Sequence, residues 1–252
     1  MENDWFIRFS PTPAPTAQLY MLPYAGGNAG MYADWAKAIP SASILGVQYP
    51  GRGSRFMEPC ISDAKKMAIE LANLIEREGN HRYFLFGYSM GAILAFETLV
   101  ALKPSAREQC LGLFVAARAA PDCKPVITPM HTLSDSKFVN RLKQLGGVPQ
   151  EVLDDFELME LLMPMLKSDF RLAEQYALTH NTILPIPIIA LYGEADPYAT
   201  KSLTKGWSRF SSESFEHIML PGGHFFINEQ ITLLQTIVKN IVNLRLAEAP
   251  HL

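Results

Sequence analysis

The stretch Phe86-Gly87-Tyr88-Ser89-Met90-Gly91-Ala92 decides how this chain is read. An apolar run over 83–86 leads into it, and a helix-patterned run over 90–102 leaves it. A serine between two glycines at a strand-to-helix junction fits the nucleophile-elbow pattern G-x-S-x-G. The residue types follow from sterics. Ser89 must take a strained backbone conformation to project its hydroxyl. Gly87 and Gly91 carry no Cβ, so strand and helix can approach closely around the turn. The start of the helix then directs free N–H groups and partial positive charge at that hydroxyl.

Working outward toward the N-terminus, residues 18–22 read as a strand that runs into Pro23-Tyr24-Ala25-Gly26-Gly27-Asn28-Ala29-Gly30, with a helix expected over 31–38. Backbone N–H groups in such a loop can point at an anion or a developing oxyanion. Residues 44–49 form another strand, ending in Pro50-Gly51-Arg52-Gly53-Ser54-Arg55-Phe56. Ser62 reads as the N-cap of a helix to about 77, with Met67, Leu71, Leu74 and Ile75 on one face. At the start of the chain, 5–9 is a short strand. Pro11, Pro13 and Pro15 make 10–16 a turn or extended connector.

Beyond the elbow helix, 111–116 is a strand, and the alternation of strand and helix predicts a parallel sheet covered on both faces. The rhythm breaks over 121–182, where only helical patterns occur, at 135–145, 151–167 and 168–178. Gly146-Gly147-Val148-Pro149 separates the first two. The expectation is one α/β domain over 1–252 with a helical lid insertion at about 121–182. Strands resume at 186–192 and 215–220, and an amphipathic helix closes the chain.

Composition bounds the function. The 252 residues are 48% hydrophobic, enough for one sizeable core. A net charge of −3 without any lysine or arginine run argues against nucleic acid or an anionic membrane as partner. Three cysteines, Cys60, Cys110 and Cys123, have no metal-type spacing, so no metal is expected and buried thiols in a reducing compartment are. The acidic start lacks a signal-peptide layout, and no apolar run is long enough to span a bilayer. A cytoplasmic protein is expected.

Three residues past strand ends carry the chemistry: Ser89, Asp196 in Gly193-Glu194-Ala195-Asp196-Pro197, and His224 in Pro221-Gly222-Gly223-His224-Phe225-Phe226. Nucleophile, acid, histidine is the α/β-hydrolase order. A histidine can take the serine proton and return it to a leaving group, and an acid fixes the imidazole tautomer. Glu194 competes with Asp196 from the same loop, and Asp122 is a weaker rival. His81, His131, His180, His217 and His251 follow no strand end in a glycine-rich turn and read as surface or structural. The oxyanion would rest on the backbone N–H groups of Met90 and Ala25.

With these residues in place, the chain resembles the type II thioesterases of polyketide and nonribosomal peptide synthetases. The resemblance runs nearly the whole length. It rests on Leu22-Pro23-Tyr24-Ala25-Gly26-Gly27, on the Pro50-Gly51-Arg52 and Gly87-to-Ala92 stretches, and on Leu145-Gly146-Gly147-Val148-Pro149 with Leu153. It continues in Met163-Pro164-Met165-Leu166-Lys167-Ser168-Asp169-Phe170 and the two loops that carry Asp196 and His224. It implies an α/β-hydrolase fold and an editing enzyme that hydrolyses stalled acyl groups from the phosphopantetheine arm of carrier domains. Ser89 would be the nucleophile, with no cofactor of its own and no second subunit required. Tyr88 stands where the family often has histidine, and Lys167-Ser168 where it often has Arg-Ala. Tyr88 is expected to point into the elbow packing. Leu162, Met163 and Leu166, with Tyr24 and Phe225, are expected at the acyl site. Arg52, Arg55, Lys103 and Arg107 are the basic residues open to an acidic carrier, against the plainer reading of solvated charges. A general esterase, or a hydrolase-like binding protein without turnover, stands as the alternative.

Overall fold

In the computed structural model, which describes residues 4–10, 17–79, 81–123 and 129–249, seven strands form one sheet. They are β1 (Phe6–Arg8), β2 (Ala17–Leu22), β3 (Ser43–Val47), β4 (Arg82–Tyr88), β5 (Cys110–Ala116), β6 (Ile188–Gly193) and β7 (Phe215–Leu220). Their order across the sheet is β1-β3-β2-β4-β5-β6-β7. Only β1 runs antiparallel, pairing Phe6 with Val47; every other pairing is parallel.

The strands are apolar on both sides because both faces are covered. Alternation with a period of two divides their side chains between two cores. Tyr20, Leu22, Leu85, Leu113, Val115, Ile188 and Ala190 enter one core. Leu19, Met21, Phe84, Phe86, Phe114, Ala116, Ile189 and Leu191 enter the other.

Ten α-helices flank the sheet among the described residues: α1 (Trp35–Ala38), α2 (Ala64–Glu78), α3 (Met90–Ala101), α4 (Pro104–Arg107), α5 (Asp135–Leu145), α6 (Gln150–Asp154), α7 (Phe156–Gln175), α8 (Lys201–Lys205), α9 (Phe226–Glu229) and α10 (Ile231–Glu248). The first core takes Met67, Leu71 and Ile75 from α2 and most of α3. The second takes Trp35 from α1 and Leu234, Val238 and Val242 from α10. Helices α5 to α7 lie between β5 and β6 and share a third cluster, built on Phe138, Leu142, Leu153, Met159, Met163 and Leu166.

Several local expectations need correction. The helix expected over 31–38 is a 3-10 turn (Ala29–Tyr32) followed by the four-residue α1. Asp63, not Ser62, caps α2, accepting from the N–H groups of Lys65 and Lys66 at 2.9 and 3.0 Å. The break expected at 167/168 lies at Asp155, whose carboxylate accepts from Leu158 N at 2.9 Å and starts α7 there. Helix α7 then runs unbroken through Pro164, because Met159, Met163, Leu166 and Ala173 keep an apolar stripe buried along its length. Of the cysteines, only Cys110 is buried, and burial pushes its thiol up to about 12. The connector with Pro11, Pro13 and Pro15, and His251, lie outside the described residues.

Candidate active site

The elbow forms for the steric reason its sequence suggests. Ser89 has φ 51° and ψ −109°, outside the comfortable regions for an L-residue, and its N–H is held by the Ala116 carbonyl at 2.8 Å. A Cβ on Gly87 would lie 2.2 Å from the Gly91 carbonyl oxygen, and one on Gly91 would lie 2.1 Å from the Leu22 carbonyl oxygen. No other residue type fits either place without moving backbone.

Three loops, after β4, β6 and β7, bring Ser89, Asp196 and His224 together at the carboxyl edge of the sheet. Ser89 Oγ is 3.1 Å from His224 Nε2. His224 Nδ1 is 2.8 Å from Asp196 Oδ2. The other Asp196 oxygen accepts from the N–H groups of Tyr198 and Ala199 at 2.8 and 3.1 Å. Asp196 is only 3% exposed. Burial alone would raise its pKa. The hydrogen bond and charge of His224, with the two backbone donors, more than offset this, so the carboxyl sits below the usual aspartate value. Glu194 is exposed, and Asp122 pairs with Arg209 at 2.5 Å. Neither reaches the imidazole.

The remaining histidines are engaged elsewhere. His131 meets Glu174, His180 meets Glu97, and His217 meets the Thr204 hydroxyl. His81 is exposed.

Ala25 and Met90 both line a cavity of about 190 Å³ that contains Ser89 and His224. Met90 opens α3, so its N–H has no helical acceptor. The neighbouring N–H of Gly26 is committed, donating to Asp169 Oδ2 at 2.8 Å. Tyr24 and Phe225 also line the cavity, with ring centroids 5.2 Å apart. The Phe225 ring in turn sits under Gly147, where a Cβ would fall 2.2 Å from it. That contact, with positive φ at Gly146 and Gly147, accounts for the glycine pair in the loop after α5.

Leu162, Met163 and Leu166 do not line this cavity; they pack among the helices of the third cluster. The wall is supplied one turn and more further along α7, by Phe170, Ala173 and Glu174. Leu166 lies behind the loop after β2, its Cδ2 2.7 Å from where a Gly26 Cβ would stand.

Two residues matter more than their sequence context signals. Tyr88 is fully buried, and its hydroxyl donates to the His224 carbonyl at 2.6 Å while accepting from Ile227 N at 3.3 Å. It points into the elbow packing and ties the histidine loop to the serine strand. Arg52 and Arg55 are 4% and 5% exposed, so neither is a docking charge. Arg52 forms a two-pronged ion pair with Asp169 at 2.6 and 2.7 Å. Arg55 pairs with Glu58 and lies 3.8 Å over the Trp5 ring. Arg107 is spent on the carbonyls of Leu99, Val100 and Leu102. Lys103 is exposed and pairs with Glu76 at 2.7 Å.

No cluster of three or more metal-ligating side chains occurs among the described residues. No helix there is long and apolar enough to cross a membrane.

The Thioesterase domain family model matches residues 17–242. The chain is 36% identical over 230 residues to Thioesterase PikA5 of Streptomyces venezuelae, covering 90% of this chain and 81% of that protein. It is 30% identical over 252 residues to the Gramicidin S biosynthesis protein GrsT of Aneurinibacillus migulanus, covering 99% and 97%. Among solved structures it is similar to the type II thioesterase BorB from the borrelidin biosynthetic cluster. The TM-score is 0.85 at 32% identity, over 96% of this chain and 98% of that one.

Proposed function

The chain belongs to the thioesterase domain family, and on that premise we propose that it is a type II editing thioesterase. It hydrolyses stalled or aberrant acyl groups from the phosphopantetheine arm of carrier domains in polyketide or nonribosomal peptide assembly. The observation that carries this reading is the chain of contacts from Ser89 Oγ through His224 to Asp196, opening on an apolar cavity.

The geometry supports a two-step acyl transfer. Ser89 Oγ attacks the thioester carbonyl as His224 Nε2 takes its proton. Asp196 holds the imidazole with Nδ1–H toward itself and stabilises the imidazolium. The N–H groups of Met90 and Ala25 bind the tetrahedral oxyanion. When the intermediate collapses, the C–S bond breaks and His224 protonates the departing phosphopantetheine thiol. A water then gives its proton to His224 and attacks the ester carbon. The C–O bond to Ser89 breaks as His224 returns that proton to Oγ, and the free acid leaves. Helices α5 to α7 act as the lid over this site, and the acyl chain lies between them and the elbow. The partner is an acyl or peptidyl carrier domain, and one copy of the chain is sufficient.

Ser89→Ala tests the nucleophile. Turnover of an acyl-pantetheine thioester should fall by at least about a thousandfold with an unchanged circular dichroism spectrum, and a serine-reactive phosphonate should label the parent and not the variant. Substantial activity in the folded variant would reject the assignment.

A further inference from the structure

One feature of the cavity has no part in the acyl-transfer steps. Ser89 and Ala117 are the two non-glycine residues with positive φ among those described, and Ala117 has φ 50°. It directly follows β5, and its N–H is held by the Leu191 carbonyl at 3.0 Å. A side chain persists in that region only where its surroundings over-determine it, and such strain concentrates at functional sites. What this turn delivers is Arg118, onto the wall of the same cavity.

Arg118 is well anchored and poorly paired. Its carbonyl accepts from the indole N–H of Trp207 at 2.8 Å, and that indole is wholly buried. Its guanidinium makes one hydrogen bond among the described residues, from Nη2 to the Ala173 carbonyl of α7 at 3.0 Å. No carboxylate stands within ion-pair distance of it there. Most of the donors in its fork are unspent.

The acid that shares the wall, Glu174, is already committed. It accepts from Met130 N at 2.8 Å, from His131 N at 3.2 Å and from His131 Nδ1 at 2.5 Å. Arg141, the other cation on the wall, is half-buried and bonds to Gln144 at 2.9 Å. Much of the remaining lining is apolar, including Ile93, Met130, Leu145, Phe170 and Leu203. Burial depresses the Arg118 pKa, with Tyr176, Glu174 and Cys123 pulling the other way. Arg118 is half-buried, and a guanidinium drawn partly out of water into such a wall gains from a charged partner. Ala119, Ala120 and Ala173 are small, which leaves room beside it.

Resting on the reading of this cavity as the acyl site, we propose that Arg118 is a specificity determinant that pairs with a carboxylate on the acyl chain. The enzyme then favours half-thioesters of dicarboxylic acids over alkyl thioesters of the same length. A planar guanidinium recognises a carboxylate through two parallel hydrogen bonds, which a methyl terminus cannot accept.

The test uses pantetheine thioesters in matched pairs: malonyl with propionyl, succinyl with butyryl, glutaryl with valeryl. The quantity read is the ratio of kcat/KM within each pair, for the wild type, Arg118→Lys and Arg118→Met. The wild type should favour the dicarboxylic member of at least one pair by about tenfold, Arg118→Lys should keep part of that ratio, and Arg118→Met should lose it. No preference in any wild-type pair, or a preference that survives Arg118→Met, overturns the proposal. Calorimetry of free glutarate against free valerate on the wild type and on Ser89→Ala reads the subsite without turnover. Glutarate should bind about tenfold more tightly, and equal affinities overturn the proposal even if Arg118→Met does not fold. Hydrolysis of none of the six thioesters alongside tighter glutarate binding would reject the thioesterase reading and leave the subsite standing.

Discussion

Asp169, on helix α7, accepts a hydrogen bond at 2.8 Å from the backbone N–H of Gly26, which follows the proposed oxyanion donor Ala25. The same carboxylate takes both prongs of Arg52, whose Nη1 also donates to the Gly27 carbonyl at 3.1 Å. A helix outside the sheet is thereby bonded to the loop after β2 that carries the proposed oxyanion donor. Because both ions are buried, removing one leaves the other unpaired. Asp169→Ala should cost about 3–5 kcal/mol in urea unfolding. Replacing the pair together, Arg52→Met with Asp169→Leu, should recover most of that stability and not the activity, since Gly26 N–H still lacks its acceptor. Full activity in the double variant would show that the tether does not position the loop.

Tyr88→Phe removes a hydroxyl that serves two backbone groups at once, the His224 carbonyl and Ile227 N. A buried donor is left unsatisfied, at a cost of about 1–3 kcal/mol. The histidine loop is held less firmly, so kcat should fall while KM changes little. A KM rise with kcat intact would place Tyr88 in substrate binding instead.

The glycines of the elbow are not equivalent to the glycine beside the histidine. Gly87→Ala and Gly91→Ala each drive a methyl into backbone at 2.2 and 2.1 Å, so neither should yield a folded protein of normal stability. A Cβ on Gly223 meets nothing within 4 Å. Gly223→Ala should therefore shift stability by no more than about 0.5 kcal/mol. Thermal unfolding of the three variants checks the contrast.

Acid should loosen the fold through Asp196. Its folded pKa lies below the ordinary aspartate value of about 3.9, held there by His224 and two backbone donors against the effect of burial. In that window the unfolded chain binds more protons than the folded one, so stability rises with pH. The contribution is complete above about pH 4 and is lost as pH falls through the lower, folded value. Asp196→Asn cannot titrate, and its Tm should fall less steeply than the wild type's between about pH 4 and pH 2.5. Parallel slopes would mean that Asp196 is not the linked group.

The parts legible in the sequence are those written in local pattern. Parallel strands buried on both faces read as apolar runs, and the residues just past them, Ser89, Asp196 and His224, converge because every such strand points the same way. What pattern cannot carry is pairing at a distance. Arg52 and Asp169 are far apart in the chain, and Arg52 looks like any surface arginine until its partner is placed. The Tyr88 hydroxyl finds its acceptor only once β4 and the loop after β7 are neighbours. The helix boundary expected between Lys167 and Ser168 is absent, since α7 runs from Phe156 to Gln175. The buried stripe from Met159 through Met163 and Leu166 to Ala173 spans that position. Met163 and Leu166 share a helix face with Phe170 and Ala173; they stand nearer the start of α7, where that face meets the third cluster, and only its later turns reach the cavity.

The most direct test of the editing role is hydrolysis of one short acyl group presented on a holo carrier protein, on coenzyme A and as a simple aryl ester, with Ser89→Ala as control. The account predicts the highest kcat/KM for the carrier-bound form, because docking of the carrier then contributes to transition-state binding. Equal or faster turnover of the aryl ester would contradict it and identify a general esterase on this fold.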